Sequence, residues 1–268
     1  MSVLETIVAR KHDEVRRLKA RLPESFLDTQ ISALPKTRGF KQALCGKQSP
    51  NIIAEIKRAS PSKGVLLPDQ PPVEWDPVGI ARAYEQNGAR ALSVLTDTPS
   101  FWGCDDLLGA CAEAVSLPLL RKEFIVDPYQ ITHSRWLGAD AILLIARCLS
   151  ADEVARFSEQ AFFLGLDVLI EVHHPDELAK ALPVQDALIG VNHRDLSTLK
   201  IHPDRALELR SSIPDERVVV GESGITSAKD IARLWAGDIH TFLVGSHLVA
   251  GGAPGPALKA LLNDPGEP

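Results

Sequence analysis

Short apolar segments alternate with longer amphipathic segments eight times along the chain, and this alternation restricts the possible fold more than any other feature. Such apolar runs are typical of parallel strands buried on both faces, whereas the intervening segments have helical spacing. The pattern predicts strands near 51–57, 91–95, 118–122, 140–145, 167–171, 187–191, 217–221 and 240–244. It predicts helices near 77–87, 104–115, 128–136, 151–164, 175–181, 203–211, 226–236 and 255–263. Eight strand–helix units predict an α/β fold of the (β/α)8 TIM-barrel type, for which 268 residues are sufficient.

The first 48 residues have a different pattern. Leu4, Ile7 and Val15 recur at helical spacing with charged residues between them, which predicts an amphipathic helix that needs a partner surface. A second short helix is predicted near 26–34. We interpret residues 1–48 as an N-terminal helical extension that packs on the barrel, and residues 49–268 as the barrel, within one structural domain.

Charged residues directly follow several predicted strands. Glu55 and Lys57 lie at the end of the first strand, and Lys122 and Glu171 end two later strands. Charges are costly inside a core, and the carboxyl ends of all barrel strands converge on the mouth where such barrels have their active sites. Acid–base catalysis is one interpretation of these residues. The alternatives are a structural ion pair for Glu55 with Lys57, and solvated loop charges for Lys122 and Glu171.

Two Gly–Ser segments follow the last two predicted strands. Ser223 and Gly224 follow the seventh strand, and Gly245 and Ser246 follow the eighth. Glycine lets backbone N–H groups approach an anion, and a short helix that begins at Ser246 would direct its positive end toward it. Because the loops after strands seven and eight form the usual phosphate site of such barrels, we predict a phosphate site here.

Composition excludes several classes of function. A net charge of -6 and a pI near 5.8 argue against a nucleic-acid partner. No apolar run approaches the roughly 20 residues of a membrane span, and the N-terminus lacks the apolar region of a signal peptide. The four cysteines have no CxxC spacing and are expected to be free thiols in the cytoplasm. No histidine pair has metalloprotease spacing, so we expect no metal.

Several stretches, in order, resemble the indole-3-glycerol phosphate synthase family, from the N-terminal helix nearly to the end of the chain. The matching stretches are residues 53–62, 93–97, 120–130, 169–173, 190–196 and 221–225. The resemblance implies a small-molecule substrate, 1-(2-carboxyphenylamino)-1-deoxyribulose 5-phosphate, and a ring closure with loss of CO2 and water in tryptophan biosynthesis. No cofactor is expected, because decarboxylation restores the aromatic ring without an electron sink. We expect a monomer or a homodimer.

The resemblance also implies catalytic roles for five residues. Lys122 would be the general acid that protonates the ribulose carbonyl, and Glu171 the acid–base group of the dehydration. Lys57 would hold the substrate carboxylate and could donate a later proton. Glu55 and Asn192 would orient these groups and the sugar hydroxyls.

A further set of residues would bind the substrate. Ser60 would contact the carboxylate, and Phe124 would pack against the anthranilate ring. Arg194 would brace the mouth, and Glu222 would bond the sugar hydroxyls or Lys57. The phosphate would be bound by Ser223, Gly224, Gly245 and Ser246.

Other functions predict different residues. A phosphoribosylanthranilate isomerase-like enzyme needs a cysteine base near the first strand, where this chain has Glu55 and Lys57. A non-catalytic phosphate-binding barrel predicts loss of Lys57, Lys122 or Glu171, and all three are present. The loop over 64–75 is longer and richer in proline than is usual in the family, which predicts a lid.

Overall fold

The computed structural model describes residues 3–61, 63–66, 75–195 and 198–263. The barrel strands are β1 (Asn51–Ile56), β4 (Ala91–Leu95), β5 (Leu119–Lys122), β6 (Ala141–Ile145), β7 (Asp167–Val172), β8 (Leu188–Asn192), β9 (Val219–Glu222) and β10 (Thr241–Val244). Each of these strands pairs in parallel with the next one in the order given, and β1 closes the barrel by pairing with both β4 and β10. A small antiparallel hairpin, β2 (Ala59–Ser60) and β3 (Gly64–Val65), follows β1. The predicted (β/α)8 TIM barrel is confirmed.

Helices cover the outside of the barrel and its two ends. They are α1 (Val3–Arg21), α2 (Glu24–Ile31), α3 (Phe40–Ala43), α4 (Pro77–Gln86), α5 (Thr98–Phe101), α6 (Asp105–Ala114), α7 (Tyr129–Trp136), α8 (Ala151–Phe163), α9 (Pro175–Ala181), α10 (Arg205–Arg210), α11 (Ala228–Trp235), α12 (Ser246–Val249) and α13 (Pro254–Asn263), with a 3-10 helix over Ala146–Cys148. The predicted short helix at Ser246 is confirmed by α12. None of the described helices is both long and apolar enough to cross a bilayer.

Local sequence signals set the start of several helices. The Asp76 side chain accepts a hydrogen bond from the Gly79 N–H ahead of α4, and Pro77 occupies the first helical position. Ser150 and Glu153 form a reciprocal capping box at α8. These caps satisfy backbone N–H groups that have no partner inside the helix, which fixes where each helix leaves its strand loop.

The short helix α3 closes the N-terminal end of the barrel. Phe40 is fully buried and packs with residues that open the strands, including Ala91 and Ala141. The Asp167 side chain, at the first residue of β7, accepts a hydrogen bond of 2.8 Å from the Lys41 backbone N–H. The extension therefore provides a plug for the end of the barrel opposite the strand carboxyl ends.

Helix α1 lies at the other end, against the loops that follow β4 and β5. The Lys11 ammonium is buried between Asp97 at 2.9 Å and Glu123 at 3.0 Å, and Arg10 also contacts Asp97 at 2.9 Å. Burial alone would lower the pKa of Lys11, but these two carboxylates outweigh it and raise the pKa above its usual range. The division into an extension at 1–48 and a barrel at 49–268 stays an interpretation.

The long loop after β1 is described only in part. In the hairpin of β2 and β3, Gly64 pairs with Ser60 and Val65 pairs with Ala59, so the chain turns back on itself directly after β2. Ser62 and residues 67–74 lie outside the described residues, and the predicted lid falls largely on them. The lid therefore stays a prediction.

Candidate active site

A pocket with a cavity volume of about 220 Å³ opens at the carboxyl ends of the barrel strands. Its wall includes every candidate site residue that the sequence suggested, drawn from strands on all sides of the barrel. Those residues are Glu55, Lys57, Ser60, Lys122, Phe124, Glu171, Asn192, Arg194, Glu222, Ser223, Gly224, Gly245 and Ser246. The structure thus brings all of them together, while their individual roles stay predictions.

Lys122 and Glu171 form an ion pair at the buried base of the pocket. The Lys122 Nζ lies 2.9 Å from Glu171 Oε2, although the two residues end strands separated by β6. Burial opposes both charges, but each group stabilises the other. The carboxylates nearby raise the pKa of Lys122 above its usual value, and Lys122 with His173 lowers that of Glu171. The pair is therefore held in its charged form.

Glu222 lies on the other side of Lys122, with Oε2 at 3.6 Å from Nζ. Burial and the repulsion of Glu171 and Glu55 raise the pKa of the Glu222 carboxyl in spite of Lys122. Glu171 and Glu222 thus lie on the same lysine ammonium, at 2.9 Å and 3.6 Å from Lys122 Nζ. The pKa of Glu222 is raised while that of Glu171 is lowered, so of these two carboxyl groups Glu222 is the one that binds a proton more readily.

Glu55 and Lys57 form a second ion pair, 2.5 Å from Oε1 to Nζ. They are two residues apart at the end of β1 and so project to the same side of the sheet. The Glu55 side chain is 6% exposed and that of Lys57 13% exposed. Lys122 and Glu171 are 14% and 2% exposed, so they are not the solvated loop charges of the alternative interpretation. The pocket therefore contains two lysine–carboxylate pairs.

Glycines make room for two of these carboxyl groups. A Cβ atom on Gly245 would lie 2.3 Å from Glu55 Oε1, and one on Gly190 would lie 2.2 Å from Glu222 Oε1. Both distances are far below van der Waals contact. A side chain at either position would therefore force the facing carboxyl group to shift, and nothing in the local sequence around Gly190 indicates this.

Asn192 links the charged base of the pocket to its rim. Its side chain helps to lower the pKa of the Glu171 carboxyl, and its Oδ1 accepts the backbone N–H of Arg194 at 3.0 Å. The Arg194 guanidinium in turn donates to the carbonyl oxygen of Leu199 at 3.0 Å. Arg194 therefore links the end of β8 to Leu199 further along the same loop.

The loops after β9 and β10 form the other end of the pocket. Ser223 and Gly224 both have a left-handed backbone, with φ of 65° and 76°. His193 supports this turn, because its ring Nδ1 lies 2.9 Å from the Ser223 carbonyl oxygen. Helix α12 begins at Ser246, so its first backbone N–H groups have no partner within the helix, and Gly245, Ser246 and His247 line the pocket.

The opposite side of the pocket is apolar. Phe124 packs against Phe101 with ring centroids 6.3 Å apart, and Leu4 and Ile7 of α1 complete this wall. Phe101 could not be predicted as a pocket residue, because α5 is a single turn without periodicity. A flat aromatic group would fit here, and an anion would fit at the other end. In the part of the chain that the structure describes, no group of His, Cys, Asp or Glu is arranged to hold a metal ion.

Fold and site together define a (β/α)8 barrel whose pocket has buried lysine and glutamate side chains between an aromatic end and a glycine-rich end. A model of the family described as Indole-3-glycerol phosphate synthase matches residues 4–261. A relative of that name from Rhodopirellula baltica is 44% identical over 262 residues, which are 98% of this chain and 99% of the relative. The chain belongs to the indole-3-glycerol phosphate synthase family and is a carboxy-lyase of tryptophan biosynthesis.

Solved structures with much lower identity share the fold. Thiamine phosphate pyrophosphorylase from Pyrococcus furiosus superposes with a TM-score of 0.58 at 12% identity, over 80% of this chain and 95% of that chain. A mutant tryptophan synthase alpha-subunit from the same organism gives 0.58 at 14% identity, over 81% and 98%. At this level of identity the likeness extends to the fold alone.

Proposed function

We propose that the two lysine–carboxylate pairs divide the steps of the family reaction between them. The substrate would place its phosphate against Ser223, Gly224, Gly245 and Ser246, and its anthranilate ring against Phe124. This orientation sets the ribulose carbonyl over the buried base of the pocket, beside Lys122. It sets the anthranilate carboxylate near Lys57 and Ser60, whose charge and hydroxyl group suit an anion.

Lys122 acts in the ring closure. The aromatic carbon that bears the carboxylate attacks the ribulose ketone, and the ketone oxygen takes the proton of the Lys122 ammonium. Negative charge would otherwise develop on that oxygen, so a donor held in place lowers the barrier. The ring carbon is now tetrahedral. Loss of CO2 returns the electrons of the broken carbon–carbon bond to the ring and restores its aromaticity.

Glu171 acts in the dehydration. The new hydroxyl group leaves as water with a proton from Lys57, and Glu171 removes a proton from the adjacent CH2 carbon to complete the indole. Glu171 must enter this step as the carboxylate, which is the state that Lys122 stabilises. Glu55 and Asn192 orient the lysine and the carboxylate, and Glu222 bonds the sugar hydroxyls.

The observation that supports this assignment best is the 2.9 Å contact between Lys122 and Glu171 at the closed base of the pocket. A buried ion pair without another use is often neutral or unfavourable for stability compared with apolar residues of similar volume. A pair that is buried and also faces the cavity is better explained by catalysis.

Lys122→Met and Glu171→Gln test the assignment. Each variant should keep the circular dichroism spectrum of the parent while turnover, followed by indole fluorescence, falls by roughly 10²–10⁴-fold. Asp238→Asn is a matched control, because Asp238 pairs with Arg210 at the other end of the barrel. Turnover near the parent value for either pocket variant, with the control unchanged, would remove that residue from the mechanism.

The cellular setting is also a proposal. We propose that the enzyme works in the cytoplasm as a monomer or a homodimer. The free thiols of Cys45, Cys104, Cys111 and Cys148 support a reducing compartment. Size-exclusion chromatography with light scattering tests the state of association.

A further inference from the structure

A histidine lies behind the pocket wall, between two carboxylates. His173 follows β7 and is 2% exposed. Its Nδ1 is 3.1 Å from Glu177 Oε2 on α9, and its Nε2 is 3.7 Å from Glu171 Oε1. The other oxygen of Glu171 accepts the hydrogen bond from Lys122. Each oxygen of Glu171 therefore faces a different basic group.

The contacts indicate which form of the His173 ring fits this position. Glu177 Oε2 already accepts the backbone N–H of His173 at 2.6 Å, so it acts as an acceptor and Nδ1 must donate to it. If the ring were neutral with its proton on Nδ1, the lone pair of Nε2 would face Glu171 Oε1, and the two would repel each other. Only the imidazolium attracts the carboxylates on both sides. Among the described residues, no group hydrogen-bonds Nε2, so its 3.7 Å contact with Glu171 Oε1 is an electrostatic one.

The surroundings of His173 agree with a charged ring. Burial lowers its pKa and Arg147 adds to that, but Glu177 and Glu171 outweigh both and raise the pKa above the ordinary value. Arg147 lies 3.8 Å from the second oxygen of Glu177, so it anchors that carboxylate from the side away from His173. The charged groups that act on the ring are Glu171, Glu177 and Arg147. Cys148 lies near the same two carboxylates, together with Arg147 and Lys180.

We propose that His173 is a positioning residue for Glu171, which it holds ionised and correctly directed from behind the pocket wall. The inference rests on the proposed function, because it concerns the carboxylate that acts in the dehydration. Lys122 becomes a neutral amine once it has given its proton to the ketone oxygen, and Glu171 then loses its positive neighbour. His173 faces the other oxygen and supplies a positive charge that the reaction does not consume.

His173→Gln tests the proposal, since glutamine can hydrogen-bond but cannot carry the charge. The pKa of Glu171 should rise, so the acid limb of the kcat/KM pH profile should move to higher pH by about half a unit or more. We expect kcat to fall by roughly tenfold and KM to change by less than about threefold. Glu177→Gln leaves the histidine in place but removes its anchor, and should move the acid limb in the same direction.

His240→Gln is the matched control, because His240 pairs with Asp238 at 2.8 Å just ahead of β10, away from the pocket. Its pH profile should coincide with that of the parent. A parental profile in both His173→Gln and Glu177→Gln, measured on folded protein, would overturn the role of His173 while Glu171→Gln stays inactive. If Glu171→Gln is itself active, the proposed function fails instead. If His173→Gln does not fold, the profile of Glu177→Gln decides.

Discussion

Protonation of one carboxyl group links the chemistry of the pocket to the stability of the fold. Burial and the neighbouring carboxylates raise the pKa of Glu222 to about 8. The unfolded chain releases that proton near its ordinary pKa of 4.5, whereas the folded chain keeps it. The folded state therefore binds more protons across this window, so its stability falls as the pH rises from about 4.5 to 8.

Glu222→Gln should remove this dependence, because the amide cannot ionise. The unfolding free energy of the variant minus that of the parent should become more positive by at least about 1 kcal/mol as the pH rises from 5 to 9. Urea unfolding of both proteins at pH 5, 7 and 9 measures the difference. Parallel stability curves would show that Glu222 ionises normally in the folded protein.

Gly245→Ala should disturb the catalytic base of the pocket, although Gly245 belongs to the loop proposed to bind phosphate. The added Cβ would meet Glu55 Oε1 at 2.3 Å, so Glu55 must move away from Lys57. We expect kcat to fall by roughly tenfold or more, since small displacements of positioned groups are costly. Gly251→Ala is the control, because a Cβ there meets no atom within 4 Å. Equal kinetics for both variants would contradict the link.

At the scale of single elements, α12 is the part of the phosphate site that can be tested with least effect on the rest. Ser246→Asp places a negative charge where the phosphate is proposed to bind, which should raise KM by roughly tenfold or more with a smaller effect on kcat. Ser212→Asp, in the exposed turn after α10, is the control for an added charge. Steady-state kinetics with unchanged KM would mean that the phosphate lies elsewhere.

Elements with clear periodicity were predicted from the sequence, whereas most of the very short ones, apart from α12, were not. The eight barrel strands and their helices follow from local patterns of apolar residues and from caps such as Asp76 and Ser150. The hairpin β2–β3 and the single-turn helices α3 and α5 are too short to show a period. Their positions depend on contacts with distant parts of the chain.

The sequence also predicted only part of the site. Residues that end strands could be found because the barrel brings all strand ends to one mouth. The roles of Gly190, Lys11 and His173 could not, because each depends on a partner or a distance that no local pattern encodes. Gly190, for example, matters only because Glu222 of the next strand projects toward it.

One end of the barrel is closed by α3, and the other end contains the pocket. Mutations at the closed end should change the stability of the protein, whereas mutations at the pocket end should change its turnover. Phe40→Ala removes a fully buried ring from the plug and should cost about 3–5 kcal/mol of unfolding free energy. Turnover of the folded fraction should change little, because the cavity lies at the other end. Phe163→Ala is the control, since that ring is 88% exposed. Thermal unfolding and kinetics below the transition test both statements, and similar stability losses in the two variants would contradict them.

The place of α1 has a practical consequence for handling the protein. Leu4 forms part of the pocket wall, so an affinity tag fused ahead of α1 would emerge beside the entrance used by the substrate. The last turn of α13 lies at the far end, where Leu262 approaches Gly88 just before β4. A tag placed after α13 leaves the entrance clear, and kinetic constants from such a fusion can be attributed to the enzyme alone.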